Sequence, residues 1–161
     1  LIIFNSLSGK PLPIYGDGKQ IRDWLYVSDH CDAIMHVVKD GAIGETYCIG
    51  GNNQPTNIEI VQIICELLDN LVPDSPYKPH RNLIQYVTDR QGHDRRYAMN
   101  INKISSQLGW SPGHSLEEGL SKTITCYLKN PDWIEQIRQK NVYKQWINYQ
   151  YKQEAPKGMK E

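Results

Sequence analysis

The chain has 161 residues, and its 18 Lys and Arg side chains balance 18 Asp and Glu side chains, so its formal net charge is zero. This balance disfavours nucleic acid and anionic membranes as partners, because proteins that bind them concentrate positive charge. The apolar stretches are a few residues long, far short of the roughly 20 that span a bilayer, so the sequence predicts no membrane helix. The length suits one domain or a piece of one.

Four cysteines are spread along the chain without a Cys-x-x-Cys spacing, and the five histidines form no metal-ligand pattern. Each cysteine lies in a segment that favours regular structure. We therefore expect four buried, reduced thiols in a cytoplasmic protein rather than disulfides or zinc ligands. They are Cys31, Cys48, Cys65 and Cys126.

The first nine residues space their apolar side chains as a helix does and end at Gly9. This pattern predicts the last turns of a helix that begins before Leu1. We therefore expect the chain to be a piece of a longer protein.

The next segment combines an aromatic ring, a tight turn and a cation within ten residues. Pro13 favours an extended strand, Tyr15 offers a flat face on which a base could stack, and residues 16–18 (GDG) predict a hairpin reversal. Arg22 would then lie on the returning strand, where its guanidinium could bind phosphate oxygens. The alternative is an ordinary hairpin with a surface arginine.

Strands and helices alternate over the middle of the chain. We predict a strand at 24–27, a helix capped by Ser28 and Asp29 that closes at 41–44, and a strand at 45–51. Thr56 and Glu59 form a capping box that opens a well-buried helix. Asn57 lies in its first turn, where unpaired N–H groups favour an anion such as a diphosphate. The alternative is that Thr56 and Asn57 only cap the helix.

A loop over 71–79 and a strand over 83–87 lead into a polar cluster at 89–97. Gly92 would let the backbone approach a ligand, and Arg90 and His93 could donate to a phosphate or a sugar hydroxyl. The alternative is a surface ion-pair network within the cluster.

Three helices are predicted for the remainder: one around 101–108 that stops at Gly109, one capped by Ser115 and Glu118, and a last one from Asn130. A polar tail follows at 151–161. The chain is therefore predicted to be an α/β protein with mixed strands and helices over 1–150, without internal repeats.

Catalytic motifs are scarce. Tyr15 and Lys19 match the Tyr-x-x-x-Lys spacing of short-chain dehydrogenases, but the glycines between them disfavour the helix that the dyad requires. A dinucleotide-binding glycine motif, a Walker loop and a Gly-x-Ser-x-Gly elbow are absent from the 161 residues. The chain itself is predicted to bind a ligand rather than to transform it.

Four segments in this order resemble the C-terminal half of the bacterial dTDP-glucose 4,6-dehydratases, a family of extended short-chain dehydrogenases/reductases: 10–18 (KPLPIYGDG), 22–30 (RDWLYVSDH), 44–51 (GETYCIGG) and 89–97 (DRQGHDRRY). The resemblance covers roughly 1–150. The second segment is shared by many extended-family epimerases and dehydratases, whereas the fourth is more particular to 4,6-dehydratases.

The resemblance implies that the full enzyme binds NAD in an N-terminal Rossmann domain, which is missing from this chain. The full enzyme would oxidise the glucose of dTDP-glucose at C4, remove water across C5 and C6 and return the hydride to C6. Its product would lead to rhamnose and other surface sugars, such as those of O-antigen. The full enzyme would be a cytoplasmic homodimer. The resemblance matches Pro13, Ile14 and Tyr15 to the segment that holds the thymine, Arg22 to the diphosphate ligand and Asn57 to a nucleotide contact. The loop that closes over the ligand is matched by Asp89, Arg90, Gln91, Gly92 and His93.

Two departures accompany the resemblance. Gln91 stands where the family usually has proline, and the glycine motif, the catalytic Tyr and Lys and the dehydrating acid pair would all precede Leu1. The chain alone is therefore predicted to be inactive, with no catalytic, cofactor-binding or metal-binding residue of its own. The alternatives are a fragment of another nucleotide-sugar epimerase or dehydratase, and a non-catalytic nucleotide-sugar-binding module.

Overall fold

The computed structural model describes residues 1–152, without the side chains at 146 and 148–152. It divides into two compact units, Leu1–Thr123 and Ile124–Glu161. The predicted polar tail at 151–161 lies outside the described residues, except that the last helix continues to Lys152. No helix within the described residues is long and apolar enough to cross a membrane.

The first unit contains most of the regular structure. In chain order it comprises α1 (Ile2–Leu7), β1 (Leu12–Tyr15), α2 (Val27–Asp40), α3 (Asn57–Leu71), a short 3-10 helix (His80–Leu83), β2 (Ile84–Val87), α4 (Asn102–Leu108) and the start of α5 (Leu116–Lys129). The fold is α/β, as predicted.

The sheet consists of β1 and β2, which run parallel, with Leu12 opposite Ile84 and Tyr15 opposite Val87. This arrangement contradicts the predicted hairpin. Gly16 and Gly18 do adopt positive φ angles of 58° and 71°, so the turn is real. The chain after it, however, does not return along β1, because that edge is occupied by the distant strand β2.

Two apolar clusters hold this unit together. In the first, Leu12 and Ile14 of β1 pack with Val61 and Cys65 of α3. In the second, Ala33 of α2 packs with two buried side chains of α4 and the loop after it, Ile104 and Trp110. The first cluster fixes the end of β1 against α3, and this contact positions the site described below.

The two capping boxes and the glycine end predicted for the helices are confirmed. Thr56 and Glu59 form the complete capping box of α3, and Ser115 and Glu118 exchange the corresponding bonds at α5, with Ser115 N–H donating to Glu118 Oε2 over 2.8 Å. Gly109 ends α4 in the left-handed conformation. Capping is local, so it can be read from neighbouring residues.

The strands predicted at 24–27 and 45–51 are wrong. Val27 begins α2, whose N-cap is Tyr26 rather than Ser28 or Asp29. The 45–51 segment has no strand assignment. A strand requires a hydrogen-bonded neighbour, and the described residues provide none for this segment.

The second unit contains the end of α5, then α6 (Pro131–Gln139) and α7 (Asn141–Lys152). The sequence predicted one final helix here, but Lys140 adopts an extended conformation and divides it in two. Asn130 precedes α6, with Pro131 at its first turn, as expected from the favourable position of proline there.

The prediction of four buried thiols is confirmed only for Cys65, which is 1% exposed. Burial raises the pKa of this thiol to about 11. All four cysteines are free thiols, but three are exposed: Cys31, Cys48 and Cys126. Cys31 lies on the outer side of α2, and the 45–51 segment that carries Cys48 does not pair into a sheet.

Candidate functional site

The end of β1 places a tyrosine ring beside the loop that follows β2. Because Tyr15 is opposite Val87 in the parallel pair, the chain that leaves β2 starts next to the ring. Gly16 N–H donates to Val87 O over 2.9 Å and ties the two exits together. A side chain at Gly16 would collide with the Asp89 carboxylate, 2.7 Å from a Cβ, so the turn needs glycine for space as well as for its φ angle.

Two predicted site residues meet Tyr15 directly. The Arg90 guanidinium lies 5.1 Å from the ring centroid, and the His93 ring stands edge-on to it at 6.2 Å and 84°. A cation is attracted to the electron-rich face of an aromatic ring, and two rings attract each other when the edge of one meets the face of the other. The structure therefore brings together Tyr15, Arg90 and His93, which the sequence had assigned to one nucleotide site.

Asp89 organises this cluster through its carboxylate. Oδ1 accepts from His93 Nδ1 over 2.6 Å and from Arg90 N–H over 2.8 Å, and Oδ2 accepts from Gln20 Nε2 over 2.8 Å. The bond from His93 lowers the pKa of Asp89, with the Arg90 N–H adding to the effect. An ionised carboxylate repels phosphate, so Asp89 is suited to hold Arg90 and His93 in place rather than to contact a diphosphate itself.

The Arg22 side chain lies on the neighbouring segment. Its guanidinium donates to Ile21 O over 2.7 Å and to Asp94 O over 3.1 Å, and it lies 4.8 Å from the Tyr97 ring centroid. Within the described residues Arg22 has no carboxylate partner at ion-pair distance, and the Asp94 carboxylate accepts instead from the Tyr97 hydroxyl. A half-buried guanidinium without an ion-pair partner is suited to bind phosphate.

The start of α3 does not provide the unpaired N–H groups that the sequence led us to expect. Asn57 N–H donates to Gln20 O over 2.9 Å, Ile58 N–H to Gly18 O over 3.0 Å, and Glu59 N–H to Thr56 Oγ1. Backbone binding of an anion at this end is therefore not supported. The Asn57 side chain, half-buried beside the Gln20 segment, is the group that could still contact a ligand.

The remaining predicted residues differ in accessibility. Ile14 is 3% exposed and belongs to the core, so only its backbone could meet a ligand, whereas Pro13 is half-buried. Gln91 is exposed in the turn of the loop, and Gly92 has a φ of 68°, with no described atom within 4 Å of where a Cβ would lie. Gly92 is thus required for its backbone conformation, not for space.

The ion pairs of the 89–97 loop are not confined to it, since His93 pairs with Asp89 inside the loop whereas two of its arginines bond outside it. Arg95 forms a bidentate pair with Asp17 of the turn, at 3.0–3.2 Å, and Arg96 donates to Gln54. The Arg95 bond lowers the pKa of Asp17. These contacts attach the 89–97 loop to the turn after β1 and to the segment before α3.

Sequence reasoning gave no role to two residues that assemble the site. Gln20 is 2% exposed and bonds to Asp89 through its side chain. Asp23 accepts N–H groups from Gly51, Asn53 and Met99, with the first at 2.9 Å. Both lie within two residues of Arg22, and no sequence motif marks either of them for this role.

A separate open cleft of about 960 Å³ lies elsewhere on the first unit, lined by residues of 51–54, 96–105 and 111–115. None of the predicted site residues lines it. Its walls are mainly amides, hydroxyls and glycines, with Arg96 and His114 among them, and neither Tyr15 nor Arg90 lines it. We therefore place the candidate site at Tyr15, Arg22, Arg90 and His93.

Metal binding finds no support in the part of the chain that the structure describes, because no group of three or more His, Cys, Asp and Glu side chains could hold an ion there. The Tyr15 and Lys19 pair is also not a dehydrogenase dyad. The residues between them form a turn rather than a helix.

The chain is similar to dTDP-glucose 4,6-dehydratases of several bacteria. It is 52% identical over 151 residues to a dTDP-glucose 4,6-dehydratase of Escherichia coli, which covers 94% of the chain and 41% of that relative. It is also 52% identical over 137 residues to a dTDP-glucose 4,6-dehydratase of Xanthomonas campestris, covering 85% of the chain and 39% of the relative. The chain thus spans about two fifths of the length of these relatives.

Solved structures give the same result. The dTDP-glucose 4,6-dehydratase of Bacillus anthracis, in complex with NAD, matches 82% of the chain and 39% of its own length, with a TM-score of 0.68 at 45% identity. That of Streptomyces venezuelae, also with NAD bound, has a TM-score of 0.70 at 39% identity and matches 82% of the chain and 38% of its own length. A family model described as GDP-mannose 4,6 dehydratase matches residues 1–123. The chain belongs to the family that this model describes, an α/β family of nucleotide-sugar dehydratases and related enzymes.

Proposed function

We propose that the chain is the nucleotide-sugar-binding part of a dTDP-glucose 4,6-dehydratase, which converts dTDP-glucose to dTDP-4-keto-6-deoxyglucose with loss of water. The main support is the placement of a tyrosine ring, Tyr15, within a few ångströms of Arg90 and His93, with Arg22 bonded to Asp94 O of the same 89–97 loop. An aromatic face suits the thymine base, and arginines suit the diphosphate. The identity of about 50% to enzymes of that name points to the same substrate.

Each predicted residue has a role in this proposal. Tyr15 and the backbone of Pro13 and Ile14 hold the base, while Asn57 contacts the nucleotide through its side chain. Arg22 and Arg90 bind the diphosphate. The turn at Gln91, Gly92 and His93 covers the ligand, with Asp89 holding that turn in shape.

We propose that the catalytic part lies in sequence outside this chain. The outer face of α2 exposes Val27, Ile34, Met35 and Val38 at 45–76%, and Ile43 after it is fully exposed. The 45–51 segment follows and has no strand neighbour among the described residues. A helix with an apolar outer face followed by an unpaired strand-like segment is what would complete a larger sheet.

That larger sheet would be the Rossmann domain that binds NAD. When bound, NAD would take the hydride from the sugar and return it. The 161 residues contain no dinucleotide-binding glycine motif and no helical Tyr-x-x-x-Lys, so they would supply substrate contacts only. The chain alone would then be inactive, and the complete enzyme would be a cytoplasmic homodimer that pairs through its N-terminal domain.

A second candidate is a related enzyme for a different nucleotide. A UDP-glucose 4-epimerase of Thermotoga maritima has a TM-score of 0.66 at 29% identity, so the same architecture serves other nucleotide sugars. A third is a nucleotide-sugar-binding module without catalysis. Comparing the binding of dTDP, UDP and GDP, and reading the coding sequence before Leu1 for the missing motifs, separates the three.

The test uses the protein expressed from its complete coding sequence. We expect it to form the 4-keto-6-deoxy product from dTDP-glucose and to bind dTDP more tightly than UDP or GDP in calorimetric titrations. A charge-assisted hydrogen bond contributes about 1.5–3 kcal/mol, so Arg22→Ala should weaken dTDP binding roughly 10- to 100-fold. The control Arg81→Ala changes an exposed arginine of the 3-10 helix and should leave binding unchanged. Equal binding of the three nucleotides, or equal effects of both variants, would contradict the proposal.

A further inference from the structure

Gln20 lies under the candidate site, where a ligand cannot reach it. Its side chain is buried, and its main-chain oxygen accepts the Asn57 N–H over 2.9 Å. The next residue, Ile21, forms bridges to Thr56 on one side and to Arg96 on the other. The Gln20 segment therefore joins three parts of the site: the turn after β1, the start of α3 and the 89–97 loop.

The Gln20 amide acts on the binding residues through Asp89. Its Nε2 donates to Asp89 Oδ2, while Oδ1 of the same carboxylate accepts from Arg90 N–H and His93 Nδ1. With both oxygens engaged from different directions, the carboxylate has a fixed orientation. His93 and Arg90, which border the Tyr15 ring, are consequently held in place by a bond that Gln20 makes.

The other half of the Gln20 amide indicates why glutamine stands there. Its Oε1 is buried and has no hydrogen-bond partner among the described residues. Burying an unpaired carbonyl is unfavourable, and an apolar side chain of similar size would avoid it. The contribution of an amide at this position is therefore the Nε2 donation to Asp89.

We propose that Gln20 is a positioning residue of the nucleotide site, which acts through Asp89 to set the orientation of His93 and Arg90 against Tyr15. This inference rests on the proposed function. Gln20 makes no contact with the ligand itself. It determines how well the ring and the guanidinium are arranged before the ligand arrives.

The test compares Gln20→Met with Gln107→Met in the protein expressed from its complete coding sequence. Gln107 is an exposed residue of α4, so the control makes the same chemical change away from the site. Calorimetry should give roughly tenfold weaker dTDP binding for Gln20→Met, as expected for the loss of one bond that orders the site, and no change for Gln107→Met. The His93 side-chain nitrogen resonances should shift in Gln20→Met alone.

A double-mutant cycle distinguishes positioning from general destabilisation. If Gln20 acts through Asp89, adding Gln20→Met to Asp89→Asn should weaken dTDP binding no further than Asp89→Asn alone. Gln20→Leu serves as the second variant if Gln20→Met does not give a cooperative thermal transition. Additive effects, or wild-type affinity and unchanged His93 resonances in a folded Gln20 variant, would overturn the inference. Failure of the unmodified protein to bind dTDP would instead overturn the proposed function, and the inference with it.

Discussion

Gly51 is packed so closely against another part of the backbone that even one added methyl group has no room. A Cβ at this position would lie 1.8 Å from the Trp24 carbonyl oxygen, 2.7 Å from its carbonyl carbon and 3.2 Å from the Leu25 Cα. All three atoms belong to the main chain, so no side-chain rotation can relieve the overlap. In Gly51→Ala the two segments must move apart.

The structure indicates what this movement would cost. It would break the bond from Gly51 N–H to the Asp23 carboxylate, at 2.9 Å, and the bond from Trp24 N–H to Asn53 O, at 3.0 Å. One bond to a charged acceptor and one neutral bond together contribute roughly 2–4 kcal/mol, and the strain of overpacking adds on the order of 1–3 kcal/mol. We expect Gly51→Ala to lower the free energy of unfolding by about 3–7 kcal/mol, a large share of the stability of a typical domain.

Urea unfolding followed by circular dichroism measures this difference. The matched control is Gly113→Ala, because a Cβ there meets only the Asp29 Oδ1 at an ordinary 3.6 Å and Gly113 has no positive φ angle. Its effect should stay within about 1 kcal/mol. Equal unfolding midpoints for the two variants would refute the backbone-clash reasoning.

Three other features give measurable expectations. Thr56→Ala should lower the free energy of unfolding, measured in urea, by about 1 kcal/mol, because the α3 cap is lost. The control Thr46→Ala changes an exposed threonine outside any helix and should have little effect. Equal losses in the two variants would contradict the capping role. The Thr56 bond lowers the pKa of Glu59 in the folded protein. The stability advantage of wild type over Glu59→Ala should therefore be present above the unfolded carboxyl pKa and shrink as the pH falls through the lower folded pKa. A difference that does not change with pH would contradict this expectation. Leu12→Ala should lower the free energy of unfolding by about 3 kcal/mol because the Leu12 side chain is fully buried, whereas Ile43→Ala, at a fully exposed position, should not change it. Equal urea unfolding midpoints for the two variants would contradict the assigned core. In the native 161-residue chain a thiol reagent should modify the exposed cysteines and reach Cys65 only after denaturation, and rapid native labelling of Cys65 would contradict its burial. The exposed set is Cys31, Cys48 and Cys126.

The helices could be predicted from sequence because their signals are local. The capping boxes of α3 and α5 each lie within four residues, and the Gly109 stop of α4 is adjacent to the helix that it ends. The division between α6 and α7 at Lys140 was missed, since Lys140 is neither glycine nor proline.

Strand pairing depends on distant partners and was predicted less well. The β1 strand and the turn after it were identified, but the hairpin was wrong because β2, far along the chain, takes the neighbouring edge. The residues of 45–49 have the composition of a strand, yet composition does not provide a neighbour. The turn at Gly16 and Gly18, both of which have positive φ angles, was correctly predicted, since a turn depends on neighbouring residues alone.

The candidate site shows the same division. Tyr15, Arg90 and His93 were identified by their chemistry, and their meeting around one ring follows from the parallel pairing that was not anticipated. The N–H groups at the start of α3, which were expected to be unpaired, bond to Gln20 O and Gly18 O, and these distant acceptors could not be predicted from the cap. Gln20 itself was overlooked because a single glutamine carries no motif.

The pairing of β1 with β2 also affects how the protein folds. The two halves of the site come from positions as far apart as Gln20 and Asp89, which are 69 residues apart in the chain. Closing so long a loop has an entropic cost before any contact forms, and non-local parallel pairing slows folding. During synthesis, the candidate site therefore cannot exist until the 89–97 loop has left the ribosome. Any ligand that binds only the assembled site would favour the folded chain over every earlier intermediate.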